Sequence, residues 1–367
     1  MIEFLTAIPF ARMKGYLYAC LPRLTPKKIL NILKAEIEFT FKHRFCSSLP
    51  YHMICELTNF CQLKCPLCAT GQGKHQYPTG KMAFSTFKKL IDETGDYQLF
   101  IQFACWGEPF LHAEASKFFQ YAHQKNIATL ASTNFSYPVS SKKMVDLVKS
   151  GLDILVVSLD GITPKVYSRY RVQGDFTQVI RNIRLLARTK KKLHSRTPYI
   201  QWQFLVSKYN EHQISRLPAY ASKLKVDSLV LIPMIVLFGQ SKDHQPKLDD
   251  WIPKDKKYQP NKYSLVSNKS GNLKIGKCWW PWRDFVLHHD GKISPCCYNN
   301  DQSLTFGNVL KDDFHQIWNN QKYISARSLF HKGRGTVKTI CHQCEIMTKK
   351  PVPYPTPRLD DSADFPS

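Results

Sequence analysis

The amino-acid sequence predicts an α/β protein built on a partial (β/α)6 TIM-like barrel, followed by a small C-terminal domain. Two observations predict this fold. Short apolar runs alternate with helical segments six times between residues 52 and 232. Strands separated by helices return in the same direction, which gives a parallel sheet that can curl into a barrel. The length of 367 residues is enough for one large domain plus a smaller unit.

Each unit of the predicted barrel pairs a strand with a helix. The predicted strands are 52–57, 98–104, 127–132, 154–159, 200–206 and 228–232. The predicted helices lie near 84–96, 113–125, 140–150, 175–190 and 211–224. Gly151 supplies a helix stop just before the fourth strand. In such barrels the chemistry takes place at the carboxyl ends of the strands, so functional residues are expected directly after each apolar run.

Changes in composition along the chain predict five segments. Residues 1–50 form an N-terminal amphipathic helical segment and residues 51–235 form the barrel. Residues 236–277 are polar and lysine-rich, which predicts a connector, and residues 278–350 form the C-terminal domain. Residues 351–367 combine prolines with acidic residues, so we expect a disordered tail.

The N-terminal segment contains a helix with one apolar face. Thr25 and Pro26 are a favourable N-cap and first helical residue. The apolar side chains that follow at helical spacing are Ile29 or Leu30, Leu33, Ile37 and Phe41. Such a face either lies on an anionic membrane or packs on the bottom or side of the barrel, and the pattern alone leaves both open.

Charge and hydropathy restrict the class of protein. The formal net charge of +24 is compatible with an anionic membrane surface, a phosphorylated substrate or a solvated basic surface. No nucleic-acid-binding signature is present, so a nucleic-acid partner is not expected. No apolar run reaches the roughly 18–20 residues of a spanning helix, and a secretory leader is not recognisable. We expect a cytoplasmic protein, with contact at the inner membrane face as the alternative.

The twelve cysteines fall into two groups and four scattered positions. In a reducing compartment grouped thiols indicate metal or redox chemistry rather than disulfides. The first group is Cys61, Cys65 and Cys68, and the second is Cys278, Cys296, Cys297, Cys341 and Cys344. The scattered cysteines, which we expect to be small buried hydrophobic residues, are Cys20, Cys46, Cys55 and Cys105.

The first group lies on a short loop after the first strand. Three thiolates of Cys61, Cys65 and Cys68 can hold three irons of a [4Fe–4S] cluster and leave the fourth iron open. The amino and carboxylate groups of a bound amino acid can chelate that open iron. Gly71 and Gly73 allow the chain to turn closely around the cluster. The alternative is a zinc site, which normally uses four ligands in paired CxxC elements.

With this spacing the chain resembles the radical S-adenosylmethionine (SAM) superfamily, whose hallmark is CxxxCxxC after the first barrel strand. The resemblance covers roughly residues 50–345. It implies that Cys61, Cys65 and Cys68 bind the catalytic [4Fe–4S] cluster and that SAM chelates the open iron. The sequence departs from the family pattern at Leu67, where an aromatic residue is usual.

Four further segments resemble the SAM-binding elements of this superfamily, and each follows a predicted strand. Residues 106–109 resemble the GGEP motif, with tryptophan in place of the first glycine, and residues 132–134 resemble the segment that reaches the methionyl and ribose groups. Residues 158–161 resemble the SxDG element near the ribose, and residues 167–174 contain an arginine that often serves the SAM carboxylate. The implied SAM-contacting residues are Glu108, Ser132, Asn134, Ser158, Asp160 and Arg171.

The second cysteine group resembles the SPASM extension of the same superfamily, which carries auxiliary iron–sulfur clusters. No cysteine follows the Cys341-x-x-Cys344 pair, so the domain resembles the shortened "twitch" form with one auxiliary [4Fe–4S] cluster. The implied ligands are Cys278, Cys296, Cys341 and Cys344. Whether Cys297 ligates stays open, and a four-cysteine zinc site is the alternative.

The resemblance implies an enzyme that reductively cleaves SAM and abstracts a hydrogen atom from an unactivated C–H bond. We predict a net oxidation, a dehydrogenation of a polar small-molecule or lipid-linked substrate of sugar or cyclitol type, with the auxiliary cluster as electron acceptor. A reductase such as flavodoxin or ferredoxin would supply the first electron. The alternatives are an epimerase with Cys105 or Cys297 as hydrogen donor, a peptide-modifying maturase, and an iron–sulfur electron carrier or redox sensor. The SAM-binding residues favour an enzyme over a carrier.

Overall fold

One nine-stranded sheet organises the computed structural model, which describes residues 10–73, 78–234, 250–259, 278–297, 304–332, 335–342 and 344. Its first six strands are parallel and follow chain order, which confirms the predicted fold class. These strands are β1 His52–Cys55, β2 Phe100–Phe103, β3 Ala128–Thr133, β4 Ile154–Ser158, β5 Tyr199–Val206 and β6 Ser228–Pro233. The predicted tail and most of the predicted connector lie outside the described residues.

Helices connect the strands and cover the outer face of the sheet. They are α1 Phe10–Cys20, α2 Pro26–Thr40, α3 Phe84–Thr94, α4 Ala115–Gln124, α5 Ser141–Lys149, α6 Pro164–Tyr170, α7 Phe176–Lys192, α8 Leu217–Leu224, α9 Trp280–Arg283, α10 Phe314–Trp318 and α11 Gln321–Lys332. The sequence pattern did not predict α6. The main hydrophobic core lies between the sheet and these helices, where alternate strand residues such as Met53, Cys55, Ile101 and Phe103 are fully buried.

The amino ends of the strands are closed by α1. Ala19 of this helix is buried against Phe100, Leu130 and Ile154, which belong to β2, β3 and β4. Gly15 lies so close to Ile154 and Tyr199 that a side chain there would touch both. The N-terminal segment therefore packs at the end of the barrel opposite to the carboxyl ends of the strands.

The helix α2 packs on the protein through a face that contains several buried polar side chains. The predicted N-cap is confirmed, because the Thr25 hydroxyl accepts a hydrogen bond from the Lys28 backbone N–H at 3.3 Å. Asn31 exchanges two hydrogen bonds with the backbone of Leu49 at 2.8 and 2.9 Å. Glu38 accepts hydrogen bonds from Ser47 at 2.7 and 2.9 Å. The helix does cover the barrel, but the face it buries is a mixed one that also holds Ile32 and Ala35, and the predicted apolar face is exposed.

The C-terminal domain extends the barrel sheet from the far side of β1. Strand β7 (Asp284–Leu287) pairs with β1 in parallel, and β8 (Lys292–Ser294) and β9 (Gly307–Asn308) follow in antiparallel order. This continuation was not predicted from the sequence. It gives β1 a central position, with the first cysteine loop after its carboxyl end and the second cysteine group beside it.

A buried arginine fixes this domain against the N-terminal segment. The guanidinium of Arg327 donates hydrogen bonds to the carbonyls of Pro281 at 2.9 Å and Arg44 at 3.1 Å. The same group lies over the rings of Trp318 and Tyr323.

Within the described part of the chain, no helix has the length and apolar character needed to cross a bilayer.

Candidate active site

The first cysteine loop is held rigidly at the carboxyl end of the barrel. Leu63 and Leu67 are buried beside the three thiols, so the unusual leucine before the third cysteine acts as a packing residue. The Lys64 backbone N–H donates to the Val172 carbonyl at 3.0 Å, which ties the loop to the segment after α6. A side chain at Gly71 would lie 2.7 Å from the Cys65 backbone nitrogen, so only glycine allows this approach.

The three thiols of this loop form one electrostatic group. Cys61 interacts with both Cys65 and Cys68, and burial raises the pKa of Cys61 to about 12 and that of Cys65 to about 11. A buried thiol of this kind becomes a thiolate only when a metal compensates its charge. The described residues hold no trio of Cys, His, Asp or Glu spaced for a single metal ion. Three thiolate donors on one loop fit the corners of an iron–sulfur cluster.

Polar groups that follow β3 and α6 reach these sulfurs. The Asn134 amide donates to Cys61 Sγ at 3.5 Å, and its oxygen accepts from the Gln62 amide at 2.8 Å. The Arg171 guanidinium lies 4.0 Å from Cys65 Sγ. Burial raises the pKa of Cys65, and the positive charge of Arg171 partly opposes this increase. Amide N–H and guanidinium groups around cysteine sulfurs stabilise the negative charge that a ligated thiolate carries.

Glu108 is buried between the ends of β2 and β3, with only 2% of its surface exposed. Its carboxylate accepts hydrogen bonds from the Thr133 hydroxyl at 2.8 Å, the Asn134 backbone N–H at 2.7 Å and the Phe110 backbone N–H at 3.3 Å. Burial raises the pKa of Glu108 to about 7, although these hydrogen bonds act in the opposite direction. The carboxylate therefore orients the loop that carries Asn134, and it has one remaining lone pair for an amino N–H donor.

Asp160 and Arg171 form an ion pair at the ends of β4 and α6. The two groups are 2.6 Å apart, and the other Asp160 oxygen accepts from the Leu205 backbone N–H at 2.8 Å. The sequence interpretation assigned them to different parts of SAM, whereas the structure joins them. Ser132 and Ser158 lie at the carboxyl ends of β3 and β4. All six residues implied to contact SAM are thus at the same end of the barrel as the cysteine loop.

Replacing Glu108 by Gln should weaken SAM binding by about 1.5–3 kcal/mol, because the charged acceptor for the N–H groups of the SAM amino group is lost. The ratio of variant to wild-type dissociation constants should shrink about tenfold between pH 8 and pH 6. The reason is that wild-type Glu108, with its pKa near 7, loses its own charge over this range. Equilibrium dialysis of the iron-reconstituted proteins measures both effects. Equal affinities at both pH values would contradict the assignment, and unchanged iron content is the control.

The second cysteine group also forms one electrostatic cluster. Cys296 interacts with the adjacent Cys297 and with Cys341, Cys344 and Cys278, and burial raises the pKa of Cys296, Cys278 and Cys341. The Cys344 backbone N–H donates to the Cys341 carbonyl at 3.4 Å, which closes the turn of the CxxC pair. The sequence interpretation assigned four cysteines of this group to one auxiliary cluster, namely Cys278, Cys296, Cys341 and Cys344. The four-thiolate set can satisfy all four irons of a cubane.

A buried acid–base group lies between the two cysteine sites, and the sequence interpretation missed it. Glu56 directly follows β1 and is fully buried. Its carboxylate is 3.0 Å from His289 Nδ1 and 3.5 Å from His288 Nδ1. Burial would raise the pKa of Glu56, but the two histidines hold it down at about 2. The signal was available, because a charged residue that directly follows a barrel strand is typical of an active site.

Cys105 belongs to the same buried group. Its thiol interacts with Glu56 and with Cys296 and Cys297, and burial raises its pKa. The backbone of Cys105 has a φ of +109°, a conformation that non-glycine residues rarely adopt. The strained residue thus directs its side chain into the space between the first strand and the second cysteine group. Cys105, which was expected to be a small buried hydrophobic residue, therefore lies close to the charged Glu56.

Comparisons with known proteins give matches to both parts of the chain. The radical SAM superfamily model matches residues 55–200, and the model of the SPASM iron–sulfur cluster-binding domain matches residues 278–345. The antilisterial bacteriocin subtilosin biosynthesis protein AlbA of Bacillus subtilis is 22% identical over 282 residues, which is 74% of this chain and 60% of AlbA. The chain thus spans less than two thirds of that relative.

Two further proteins illustrate the range of relatives. The tungsten-containing aldehyde ferredoxin oxidoreductase cofactor-modifying protein of Pyrococcus furiosus is 20% identical over 303 residues. The alignment includes 74% of this chain and 82% of the relative. The crystal structure of Streptococcus suis SuiB bound to S-adenosylmethionine superposes with a TM-score of 0.60 at 14% identity, covering 88% of this chain and 76% of SuiB. This likeness shows that the two proteins share a fold.

Proposed function

The chain belongs to the radical SAM superfamily and carries a C-terminal SPASM iron–sulfur domain, and we propose on this premise that it catalyses a net two-electron oxidation of an unactivated C–H bond. Its cofactors are a catalytic [4Fe–4S] cluster, SAM and auxiliary iron–sulfur clusters. When bound, the catalytic cluster and SAM together supply the 5′-deoxyadenosyl radical that abstracts the substrate hydrogen. Our proposal concerns what this chain does with the remaining electron and proton.

Some residues of the site would bind the cofactors, and others would compensate the charge of the bound groups. Cys61, Cys65 and Cys68 would hold the catalytic cluster, and Arg171 would compensate the charge of the Cys65 thiolate at 4.0 Å. Glu108 would accept a hydrogen bond from the SAM amino group. The net charge of +24 favours an acidic electron-transfer protein such as flavodoxin or ferredoxin as reductant, because opposite charges accelerate association.

The observation that carries the oxidation proposal is the electrostatic cluster of four cysteines. Cys278, Cys296, Cys341 and Cys344 interact with one another, and four thiolates leave no iron open for substrate. A cluster without an open iron can transfer electrons but cannot bind substrate. Its location at β7 and β8, which continue the sheet from β1, makes it a suitable electron acceptor for a substrate radical.

The same oxidation releases a proton, and we propose that Glu56 accepts it. Removing a hydrogen atom and then an electron from a C–H or C–OH group leaves a cation, which becomes neutral by losing a proton. Glu56 is ionised at neutral pH because the two histidines hold its pKa at about 2, and His289 lies 3.0 Å from it. The pair lies between the two cysteine groups, where the proton and the electron would both leave the substrate.

Changing Glu56 to Gln should slow product formation about 10²–10⁴-fold, because a positioned proton acceptor is lost. Substrate-triggered formation of 5′-deoxyadenosine should continue, since hydrogen abstraction precedes proton loss. The two rates are measured by liquid chromatography in the same anaerobic assay. Glu56→Asp is the matched control that restores a carboxylate, and it should recover part of the rate with a pH profile like that of the wild type. A parallel loss of both products would contradict this role.

The substrate that we propose is a polar molecule of sugar or cyclitol type. The experiment that tests the proposed function offers the reconstituted enzyme SAM, a reductant and a panel of aminosugars, cyclitols and peptides. We expect 5′-deoxyadenosine to form in proportion to a product that is two hydrogens lighter than the substrate. A product of unchanged mass would overturn the oxidation proposal, and iron content and SAM binding would show whether the enzyme itself was intact.

Peptide modification is the second candidate, and the relationship to AlbA favours it. AlbA is a bacteriocin biosynthesis protein and aligns with 74% of this chain. A peptide would be the substrate of the same oxidation, so the chemistry proposed for Glu56 and the auxiliary cysteines is unchanged. The panel above separates the two candidates, because only one substrate class should stimulate 5′-deoxyadenosine formation.

A further inference from the structure

An exposed apolar surface runs along the N-terminal helices and has no function in the site described above. Large apolar side chains that are normally buried are here between 37% and 66% exposed. On α2 and the residues that follow it, they are Ile29, Leu30, Leu33, Ile37, Phe41 and Phe45, and on α1 and its end they are Leu17, Tyr18 and Leu21. We call the first six the apolar stripe. Ile29, Leu30, Leu33 and Ile37 lie on one face of α2 at three- and four-residue spacing, and Phe41 and Phe45 follow the end of the helix.

The outward direction of the apolar stripe is fixed by the opposite face of α2. Lys28, Asn31 and Glu38 are buried on that face, and each has specific hydrogen bonds. Rotating the helix to bury its leucines would break these bonds and would leave a buried carboxylate or ammonium group without a partner, which costs several kcal/mol. The exposure of the stripe is therefore enforced by the fold.

Basic groups border the apolar stripe. Of the eight lysines and arginines in residues 10–45, Lys28 is buried, and Arg23 and Lys27 form ion pairs with aspartates. Lys14, Lys34 and Arg44 are exposed on this segment. Where α2 ends, an open cavity of about 570 Å³ is lined by two phenylalanines of the stripe and by basic and imidazole side chains. The lining residues are Phe41, Lys42, His43, Arg44, Phe45, Ile324 and His331.

We propose that the apolar stripe and this basic cavity bind the surface of an anionic lipid bilayer. Leucine, isoleucine and phenylalanine side chains would enter the boundary between headgroups and acyl chains, while lysine and arginine would meet the anionic headgroups. Interfacial helices combine these two features, an apolar face and a basic border. A soluble partner protein would need complementary acidic groups around an apolar groove, whereas the bilayer supplies both components continuously along the stripe.

The orientation on the membrane follows from the fold. The helices α1 and α2 lie at the amino ends of the barrel strands, and the cysteine loop lies at the carboxyl ends. A protein bound through the stripe would therefore have its active site facing the aqueous phase. The substrate would be taken from solution or from a long headgroup, and the membrane would act as the place of assembly rather than as the source of an acyl chain.

Vesicle co-sedimentation of the full chain tests the proposal. The wild type should bind vesicles with about 30% phosphatidylglycerol at least tenfold more tightly than pure phosphatidylcholine vesicles, and about 0.5 M salt should reduce binding to the anionic vesicles. The double variant Leu33→Glu/Ile37→Glu should lose at least tenfold in the partition coefficient, since two apolar anchors are replaced by charges. Both positions are more than half exposed, so the fold should be retained.

The matched control is Leu310→Glu, which changes an equally exposed leucine of the C-terminal domain outside the stripe. It should bind vesicles as the wild type does. Equal wild-type binding to both kinds of vesicle, or unchanged binding of the double variant, would overturn the proposal. A concentration-dependent dimer in light scattering that the double variant abolishes would also overturn it, because a second copy of the chain would then cover the stripe. None of these readouts depends on SAM cleavage, so the proposed function is tested separately.

Discussion

Replacing Cys61, Cys65 and Cys68 by alanine should remove about four irons per chain and abolish the formation of 5′-deoxyadenosine. The physical reason is that these thiols provide the only cysteine donors of the catalytic loop, and burial disfavours the thiolate state unless a metal compensates it. Without the cluster no electron can reach SAM. Iron and sulfide analysis, together with chromatography of the SAM cleavage products, measures both effects on anaerobically reconstituted protein.

A matched variant separates ligand loss from the general effect of removing thiols. Cys20→Ala/Cys46→Ala removes two thiols that belong to no group of cysteines, and burial raises the pKa of both to about 12. This control should retain about eight irons per chain and full SAM cleavage. A triple variant that kept its iron and still formed 5′-deoxyadenosine would contradict the assignment of the cysteine loop.

The barrel could be predicted from the sequence because its signals are local. Each of the six strands is a short apolar run, and each lies within a few residues of its predicted position. The helix start at Thr25 and Pro26 was also a local signal, and the structure confirms its hydrogen bond. The helix α6 (Pro164–Tyr170) was missed because seven residues give too few repeats for a helical period to be recognised.

The buried face of α2 could not be predicted, because the decisive contacts are distant in sequence. An apolar face normally packs inward, and the residues Ile29 to Phe41 display such a face. The polar side chains Lys28 and Asn31 nevertheless find partners at Asn126 and Leu49, which no helical pattern reveals. Tertiary hydrogen bonds therefore decided the orientation against the local hydrophobic pattern.

Long-range contacts also account for what was missed in the site. The cysteine spacing and the segments after each strand indicated which residues would meet, since parallel strands bring their carboxyl ends together. The pairing of Glu56 with His289 joins residues 233 positions apart and depends on β7 adding to β1, a connection without a sequence signature. For the same reason the ion pair between Asp160 and Arg171 was not expected from two motifs interpreted separately.

Changing Cys341 to Ala should stop product formation while SAM cleavage continues. The change removes one of four thiolates from the auxiliary group, and the protein should lose up to about four of its eight irons. Without an acceptor the substrate radical cannot lose its electron, so 5′-deoxyadenosine should accumulate without the oxidised product. Cys297→Ala is the matched control, since Cys297 is a neighbouring, partly exposed cysteine outside the proposed four-ligand set, and this variant should retain both the irons and the activity.

The reaction in deuterated water then distinguishes oxidation from epimerisation. An oxidation should place no deuterium at the attacked carbon, because hydrogen leaves that carbon and none returns. An epimerase would exchange a thiol proton with the solvent and transfer deuterium to carbon, and Cys105→Ala or Cys297→Ala would abolish the transfer. We expect both variants to form product at the wild-type mass. Deuterium incorporation that depends on Cys105 would instead make the strained thiol beside Glu56 a hydrogen donor and would overturn the oxidation proposal.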